Sequence, residues 1–502
     1  MKRTIGKKVV IAGCGQITQA KDQEDDFLDP LGLMLKASRL AAECTLSSRI
    51  LKEIDAVFTV KSMSKYYPSA ADQLADSLGS APRLTFTSAI GGNSPMSLIN
   101  KASGMIARGE LGSVLIAGGE TYCPRKNRQY ENASLLFKGL EGDHESDDMI
   151  GAASIEKQHG IYLPVHGFPL YETALWGASG LPLDSYLLNI GTMWSRFSQV
   201  AASHPNSWTQ TPRTPDEIIS TSSANRMIAF PYTKYMTSLI SVDMAAAVLL
   251  MSQDYAEGVC SKTKRPVYFL AGADTKDRQR FMIEKTDFTR SPALSACIDK
   301  TILRSGLSSD DIQCFDLYSC FPCSVTFARN ALGLKDNDPR PLTITGGLGF
   351  FGGPGNNYSL HAVVSMVDAI SSSSFDTGII TSLGWFMHKH SAGIFSAVPI
   401  ETELDHFDLE DEANLLVGKP PEQIQEQTNG TGTIETYTIL YSRDGSILQA
   451  VLYGKTDEGF RFISQTAPDP DIFQELIRRC QIGTPVKLRH NQKLNLNIAS
   501  FL

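Results

Sequence analysis

The feature that most restricts how this chain can fold is a loose internal duplication. One copy begins at the glycine pair Gly91-Gly92, passes Asn93-Ser94-Pro95, and enters a helical stretch at 96–108. A Gly-Glu-Leu-Gly turn then leads to an apolar strand at 114–117, closed by Gly118-Gly119. The other copy begins in the glycine-rich run 346–357, continues as a helix at 358–370, and passes a serine-rich turn into a strand at 378–381. In the second helix Leu360, Val363, Val364, Val367 and Ile370 recur at three- and four-residue spacing and form one apolar stripe. The first helix is apolar on more than one side, through Met96, Leu98, Ile99, Ala102, Met105 and Ile106, and so belongs between layers. Two similar α/β halves sharing a buried helical layer satisfy both patterns.

The segment between the copies reads differently. Residues 123–235 lack sustained strand alternation and are rich in aromatic residues and proline, among them Tyr162, Pro164, Phe168, Pro169, Tyr171, Trp176, Trp194 and Trp208. This is a mostly helical excursion that either covers a pocket or packs as a helical subdomain with no ligand role. The first half resumes at 241–251, where Ala245, Ala246 and Ala247 permit close packing. From about Asp405 the composition shifts, and 408–432 reads as an acidic linker containing Pro, Gln and Gly. Alternating apolar stretches at 433–441, 447–453 and 460–463, separated by Asp444-Gly445 and Glu458-Gly459, then predict antiparallel hairpins in a small β-barrel-like appendage. The expected division is 1–122 with 236–262 for the first half, 123–235 for the insertion, 263–404 for the second half, 405–432 for the linker and 433–502 for the terminal β-domain.

At 502 residues, 42% hydrophobic and 20% charged, the chain can bury several cores. A net charge of -8 without a basic tract argues against nucleic acid as a partner. The nine cysteines show no framework spacing, and Cys320 with Cys323 forms a lone Cys-x-x-Cys with no second pair to complete a zinc site. Buried thiols in a reducing compartment are expected, and no metal. The first apolar run, 9–12, is strand-like and too short for a signal segment, and no apolar stretch reaches membrane-spanning length. A cytoplasmic location is therefore expected.

Candidate sites cluster at the glycine-rich elements. Ser94 can cap a helix whose first turn holds Pro95, and the N–H groups there favour an anion or a developing oxyanion. Gly91 and Gly92 let a ligand approach the backbone, although a tight turn serving only the fold is the plainer reading. The run containing Gly347, Gly352 and Gly353 reads as a pocket wall, with Asn356 and Asn357 able to cap the following helix. Gly13-Cys14-Gly15 lacks the last glycine of a dinucleotide fingerprint and the acidic partner strand, which excludes that site. Within 316–322, Tyr318 can donate a hydrogen bond and Cys320 becomes a nucleophile only if its pKa is depressed; a buried cysteine beside aromatics is usually inert. His361, His388 and His390 lie nearest the glycine-rich elements, each more in the manner of a structural histidine.

Taken together and in order, these segments resemble the thiolase superfamily, and especially the sterol-carrier-protein thiolase branch and the type-1 thiolase-like proteins. The likeness rests on Ala107-Arg108-Gly109-Glu110 and 114–120, on Val242-Asp243-Met244-Ala245-Ala246-Ala247, on Tyr318-Ser319-Cys320-Phe321, on the loop from Gly346-Gly347 to Gly352-Gly353-Pro354, and on Ile380-Thr381-Ser382-Leu383-Gly384. It covers approximately 8–400, and 437–465 resembles the extra C-terminal β-domain of the type-1 proteins. The resemblance implies a five-layer αβαβα sandwich of two similar halves, with a lid-like helical insertion and a small OB-like C-terminal barrel.

The same resemblance implies what is missing. The position of the acylated cysteine falls on Gly92, that of the activating histidine on Gly353, that of the second cysteine on Ser382, and that of the oxyanion-site residue on Tyr318. Glycine can neither be acylated nor move protons. The implied function is that of an acyl-CoA acyltransferase-family protein of lipid metabolism, resembling acetyl-CoA acetyltransferases but working with relocated groups. Tyr318, Cys320 and His390 are the candidates for those groups. Gly92, Asn93, Ser94, Gly347, Gly352, Gly353, Asn356 and Ser382 are the implied substrate wall. The alternative is a non-catalytic acyl-CoA or lipid-binding protein, or a partner subunit. No tightly held cofactor is implied, coenzyme A entering as part of the substrate, and both monomer and homodimer stay open.

Overall fold

The structure is a computed structural model that describes residues 6–19, 27–47, 49–124, 151–260, 265–401 and 416–502. Its first half contains β1 (Val9–Thr18), α1 (Pro30–Ala42), β2 (Ala56–Thr59), α2 (Ala70–Leu78), β3 (Leu84–Thr87), α3 (Ser94–Ala107) and β4 (Ser113–Thr121). The insertion follows with α4 (Ser154–Gln158), α5 (Pro164–Ser179), α6 (Leu183–Ser203), α7 (Pro215–Ile219), β5 (Met227–Ala229) and β6 (Tyr232–Thr233). β7 (Asp243–Ser252) and α8 (Gln253–Val259) return to the first half. The second half holds β8 (Tyr268–Asp277), α9 (Pro292–Ser305), β9 (Cys314–Asp316), α10 (Pro322–Ala331), α11 (Tyr358–Ser371), β10 (Thr377–Gly384) and β11 (Lys389–Ser396).

The duplication is visible in the strand order. The first half runs β3-β2-β4-β7-β1 and the second runs β9-β10-β11-β8, the two joined edge to edge where Val9 and Val10 of β1 meet Phe269 and Tyr268 of β8. In each half the early strands pair in parallel and the last two antiparallel. Helices α3 and α11 touch strands of both halves and each other, while α1 and α2 cover one outer face and α9 the other. That is a mixed α/β thiolase-like sandwich with a shared central helical layer.

The central position changes the reading of α11. One apolar stripe would leave the rest of the helix in water, yet every residue from Tyr358 to Val367 is buried. Its polar members find partners, most of them far away in sequence: Ser359 donates to the Gly92 carbonyl, His361 Nδ1 bonds Gln16, and Ser365 donates to the His361 carbonyl, while among the described residues His361 Nε2 has none. Buried polar groups with partners cost little, so a helix can lie between two sheets without being apolar all round. On the outer face, Gly13 and Gly15 have their own packing explanation. A Cβ at either would overlap the carbonyl of Ala41 or Ala37, so these glycines let α1 lie close on β1.

The C-terminal region is a closed five-stranded barrel. Its strands are β13 (Gly430–Tyr441), β14 (Ile447–Thr456), β15 (Arg461–Thr466), β16 (Pro485–Asn491) and β17 (Leu496–Phe501), ordered β13-β14-β15-β17-β16 and closed back onto β13, with α12 (Pro470–Arg478) between β15 and β16. This order gives the barrel its OB-like form. Two features depart from the sequence expectation. β5 and β6 of the insertion extend the barrel sheet, Ala229 pairing with Leu440. The stretch expected to be linker, so far as it is described, is not free: β12 (Leu416–Val417) pairs with β8, Ile424 bridges to Arg461, and β13 already begins at Gly430. Residues 402–415 of that stretch, like 125–150 of the insertion, lie outside the described residues.

Candidate functional site

Both glycine-rich elements open onto one crevice. A cavity of about 220 Å³ is lined by Ile90, Gly91 and Gly92 ahead of α3, by Leu348, Gly353, Gly355 and Asn356 of the glycine-rich loop, and by Tyr318, Cys320 and Phe321 after β9. The insertion adds Leu163, Pro164, Val165 and Phe168, and Ser238, Ile240, Leu383 and Trp385 complete the wall. Gly92 and Gly353 therefore share one hollow. The floor is aromatic, with Phe168 and Phe321 stacked at 4.5 Å between ring centres.

The two glycines are not equivalent. A Cβ built on Gly92 would overlap the Tyr318 hydroxyl and the Leu383 carbonyl. The tyrosine thus fills the volume that a side chain at position 92 would need. At Gly353 the nearest atoms to a Cβ are the Ser238 Cβ at 3.3 Å, a tight contact without overlap, and the Leu239 carbonyl at 3.5 Å, an ordinary one. Tyr318 is held by the edge-on ring of Tyr358, 5.6 Å away, while its backbone N–H donates to Thr381 Oγ1. Tyr358 in turn donates to Asp316, a buried carboxylate that also accepts from Thr343, Thr345 and the Ile344 N–H. Among the described residues the N–H of Gly92 has no acceptor.

Burial sets the protonation of these groups. It raises the Tyr318 hydroxyl well above its ordinary pKa, so the group is a neutral donor near pH 7. It pushes the Cys320 thiol up to about 12, with the Ser324 hydroxyl 3.2 Å away only partly offsetting it. A thiol in that state is a poor nucleophile, because the thiolate is the reactive form. Cys323 is buried too and held well above the usual thiol range, so the Cys-x-x-Cys is a pair of protonated core thiols. Beneath Gly355 the Glu120 carboxylate is raised by burial to about 7, although Met63, Ser62 and Ser64 all donate to it.

The remaining sequence candidates are distributed around the crevice rather than in it. Ser382 lies behind the wall, donating to Ser359 Oγ, which donates to the Gly92 carbonyl. Gly347 packs on Ser319 and the Phe197 ring, and Gly352 on Met244. Asn93 and Ser94 line a separate cavity of about 570 Å³ on the other side of the α3 N-terminus. Ser94 is also no cap: the helix begins at Ser94 itself, and its hydroxyl donates back to the Ala89 carbonyl. Asn356 and Asn357 do not cap α11 either. They join the halves, Asn356 accepting from Gly91 N–H and donating to Lys61, and Asn357 donating to the Gly118 carbonyl.

Strand alternation turns His390 away from Ser382 and from the crevice, and it lines the cavity of about 570 Å³ with Asn93 and Ser94 instead. Ser382 of β10 pairs with Ser391 of β11, and both face the central helices through Ser359 and Asn93. The next residue must face the opposite side of the sheet. There His390 Nε2 lies 3.2 Å from Ser291 at the start of α9, and burial drives the ring down to about 3. It belongs to the outer layer. His361 is likewise a core residue bonded to Gln16, and His388 is buried in the β10–β11 turn.

Sequence reasoning left open whether the insertion covers a pocket, and the structure places Leu163, Pro164, Val165 and Phe168 of it in the crevice wall; the wall residue it missed is Trp385. The backbone of Trp385 is left-handed, with φ +56, an unusual conformation for a bulky residue. Its indole packs with Met63, Ile90, Tyr122 and Ile240 at the mouth of the crevice. The four-residue Trp385–His388 turn gives no period from which this position could have been read.

Residues 414–493 match the family model described as the thiolase-like protein type 1 additional C-terminal domain. Over the whole chain the fold is similar to the crystal structure of a monomeric SCP2-thiolase like protein type 1 from Mycobacterium smegmatis, with TM-score 0.82, 29% identity and 99% of each chain covered. The fold is thiolase-like. Two further thiolase-like folds are more distant. The Ltp2-ChsH2(DUF35) aldolase matches with TM-score 0.62 and 15% identity, over 78% of this chain and 98% of that one. An acetyl-CoA acetyltransferase from Syntrophomonas wolfei matches with TM-score 0.55 and 15% identity, over 78% of this chain and 99% of that one. No curated protein matches the thiolase-like chain. Among the described residues no group of His, Cys, Asp and Glu side chains could hold a metal ion, and no helix is long and apolar enough to cross a membrane.

Proposed function

We propose that the crevice receives the acyl-thioester end of an acyl-CoA and holds it without forming an acyl-enzyme. The observation that carries this reading is the packing of the Tyr318 hydroxyl into the space beside Gly92, in a cavity shared with Gly353. Two neutral donors, that hydroxyl and the Gly92 N–H, are suited to a thioester carbonyl, and the apolar floor is suited to its chain. At about 220 Å³ the hollow is smaller than the usual range for a whole ligand of roughly 300–1,000 Å³, which favours a short or compact acyl group over a long one. Acyl transfer through relocated groups is the weaker reading, because Cys320 is a protonated thiol and His390 lies on the outer face.

The test is equilibrium dialysis against a non-hydrolysable acyl-CoA thioether, with intact-mass measurement after incubation with the matching thioester. Saturable binding is expected, weakened roughly 2- to 10-fold in Tyr318→Phe by the loss of one hydrogen bond, with the protein mass unchanged. A covalent acyl adduct, or CoA release that disappears in Cys320→Ala, would reverse the choice between the two readings.

One observation favours a second chemistry at the same site. A pair of neutral donors with no nucleophile can stabilise a thioester enolate, which is what cleavage of a β-hydroxyacyl thioester produces, and one protein of similar fold is an aldolase. Among the described residues the titratable side chains lining the crevice are Tyr318 and Cys320, neither of them a strong base for the β-hydroxyl proton. Binding therefore stays the first reading. Aldehyde release from a β-hydroxyacyl-CoA, lost in Tyr318→Phe, would raise the second above it.

A further inference from the structure

A larger hollow lies on the far side of the insertion. It has a volume of about 820 Å³ and runs between α5 and α6 on one side and α10 with the 335–343 loop on the other. One part of its lining is apolar, formed by Leu175, Ile190, Met193, Phe197 and Leu342. Another part carries four basic side chains, Arg196, Arg329, Lys335 and Arg340, against two acidic ones, Asp336 and Asp338. The crevice is on the other side of the glycine-rich loop, since Phe197 packs beneath Gly347 while Leu348 lines the crevice.

The four bases differ in how they are engaged. Arg340 is fully committed to the fold: it grips both oxygens of Asp338 and donates to the Ser309 and Ile312 carbonyls. Arg329 is not. Its Nε is buried with no hydrogen-bond partner among the described residues, and its ion-pair partner, Asp336, has a side chain 90% exposed. Such a contact is readily exchanged for another anion, since a solvated carboxylate holds a guanidinium weakly. Arg196 and Lys335 are exposed, and among the described residues neither side chain has an ion-pair or hydrogen-bond partner. A guanidinium set at the base of an apolar trough, with two unengaged cations beside it, matches one ligand chemistry.

We propose that this groove is a second ligand site, taking an amphiphile with an anionic head and an apolar tail. The head replaces Asp336 on Arg329 and draws on Arg196 and Lys335, while the tail lies along Met193, Ile190 and Phe197. The volume falls within the range of small-molecule sites. The inference is independent of what the crevice binds.

Trp194 provides the readout, because its indole stacks on Phe197 at 5.1 Å and 14°. In a Trp385→Phe background, which removes the indole of the crevice, the protein is titrated with decanoate, decyl phosphate, decanol and decyltrimethylammonium. A saturable fluorescence change is expected with decanoate or decyl phosphate, and at least ten-fold weaker binding of decanol and the cationic amphiphile. The tighter of the two anions identifies the head as carboxylate or phosphate. Lys335→Glu and Arg196→Glu, both exposed and compatible with folding, should each weaken the anion several-fold, and Arg329→Gln should weaken it further. Decanol binding as tightly as decanoate, affinity unchanged in both charge reversals, or no saturable signal with either anion would overturn the proposal.

Discussion

At the scale of single residues, the crevice is defined by a glycine and the tyrosine packed beside it. The absence of a side chain at Gly92 leaves a volume that the Tyr318 hydroxyl fills. Gly92→Ala should force a Cβ into the Tyr318 hydroxyl and the Leu383 carbonyl, costing about 1–3 kcal/mol, as overpacking of a core does. Gly353→Ala meets one tight contact, the Ser238 Cβ at 3.3 Å, and no overlap, and should cost less than Gly92→Ala. Urea denaturation of both variants checks this asymmetry, and equal destabilisation would mean that Tyr318 does not occupy the space beside Gly92. The state of Cys320 is equally testable. With its pKa pushed up to about 12, it should hold roughly a thousand-fold less thiolate at pH 8 than a thiol at 9.0, so iodoacetamide should reach it far later than the half-buried Cys44. Peptide mapping over a time course decides the point, and early labelling of Cys320 would restore it as a nucleophile candidate.

At the scale of elements, the barrel holds the stretch that carries one wall of the crevice. The Gln449 and Gln465 amides both donate to the His159 carbonyl, Asn497 N–H donates to the His159 ring, and Thr436 donates to the Leu170 carbonyl. Leu163, Pro164, Val165 and Phe168 of the crevice wall lie between those anchor points. Gln449→Ala should therefore raise amide exchange across 156–170 and leave α1, which packs on β1, β4 and β7, unchanged; uniform exchange would show that the barrel is a passenger. A second anchor is Glu156, which accepts from Ala153, Ile283 and Tyr453 and is raised by burial to about 7. A carboxyl whose folded pKa lies above its unfolded value near 4.5 keeps its proton longer in the folded state. Its contribution to stability is thus greatest below about pH 4.5 and is lost as pH rises to about 7. Denaturation midpoints across that window should fall with pH, and Glu156→Gln should flatten that part of the slope.

The same elements show what the sequence could disclose. The duplicated glycine–helix–strand pattern was legible because it repeats, and the hairpins of the barrel because Asp444-Gly445 and Glu458-Gly459 punctuate alternating strands. The crevice glycines could be located for the same reason. The roles of Asn93, Asn356 and Asn357 were not legible, because the bonds they make cross hundreds of residues and nothing local marks them. The separation of His390 from the crevice was not legible for a nearer reason: its distance in sequence from Ser382 is short, but the strand pairing gives it the opposite face. Trp385 was missed because a left-handed tryptophan contradicts local preference and is sustained by its packing.

At the scale of the whole molecule, two duplicated halves form a rigid frame with strands paired across their junction, and an insertion and a barrel are built onto one side of it. The barrel shares its sheet with β5 and β6 and its aromatic contacts with Trp176 and Phe230, so it is integral to the chain. Its removal would expose these surfaces and should lower solubility and the unfolding midpoint of what remains. The central claim concerns the crevice, and a crystal soaked with an acyl-CoA thioether tests it most directly. Density for the acyl end is expected between Gly92 and Gly353, with its carbonyl oxygen within hydrogen-bond distance of the Tyr318 hydroxyl and no bond to Cys320. An acyl group lying elsewhere, with the crevice unchanged and Tyr318 untouched, would contradict it.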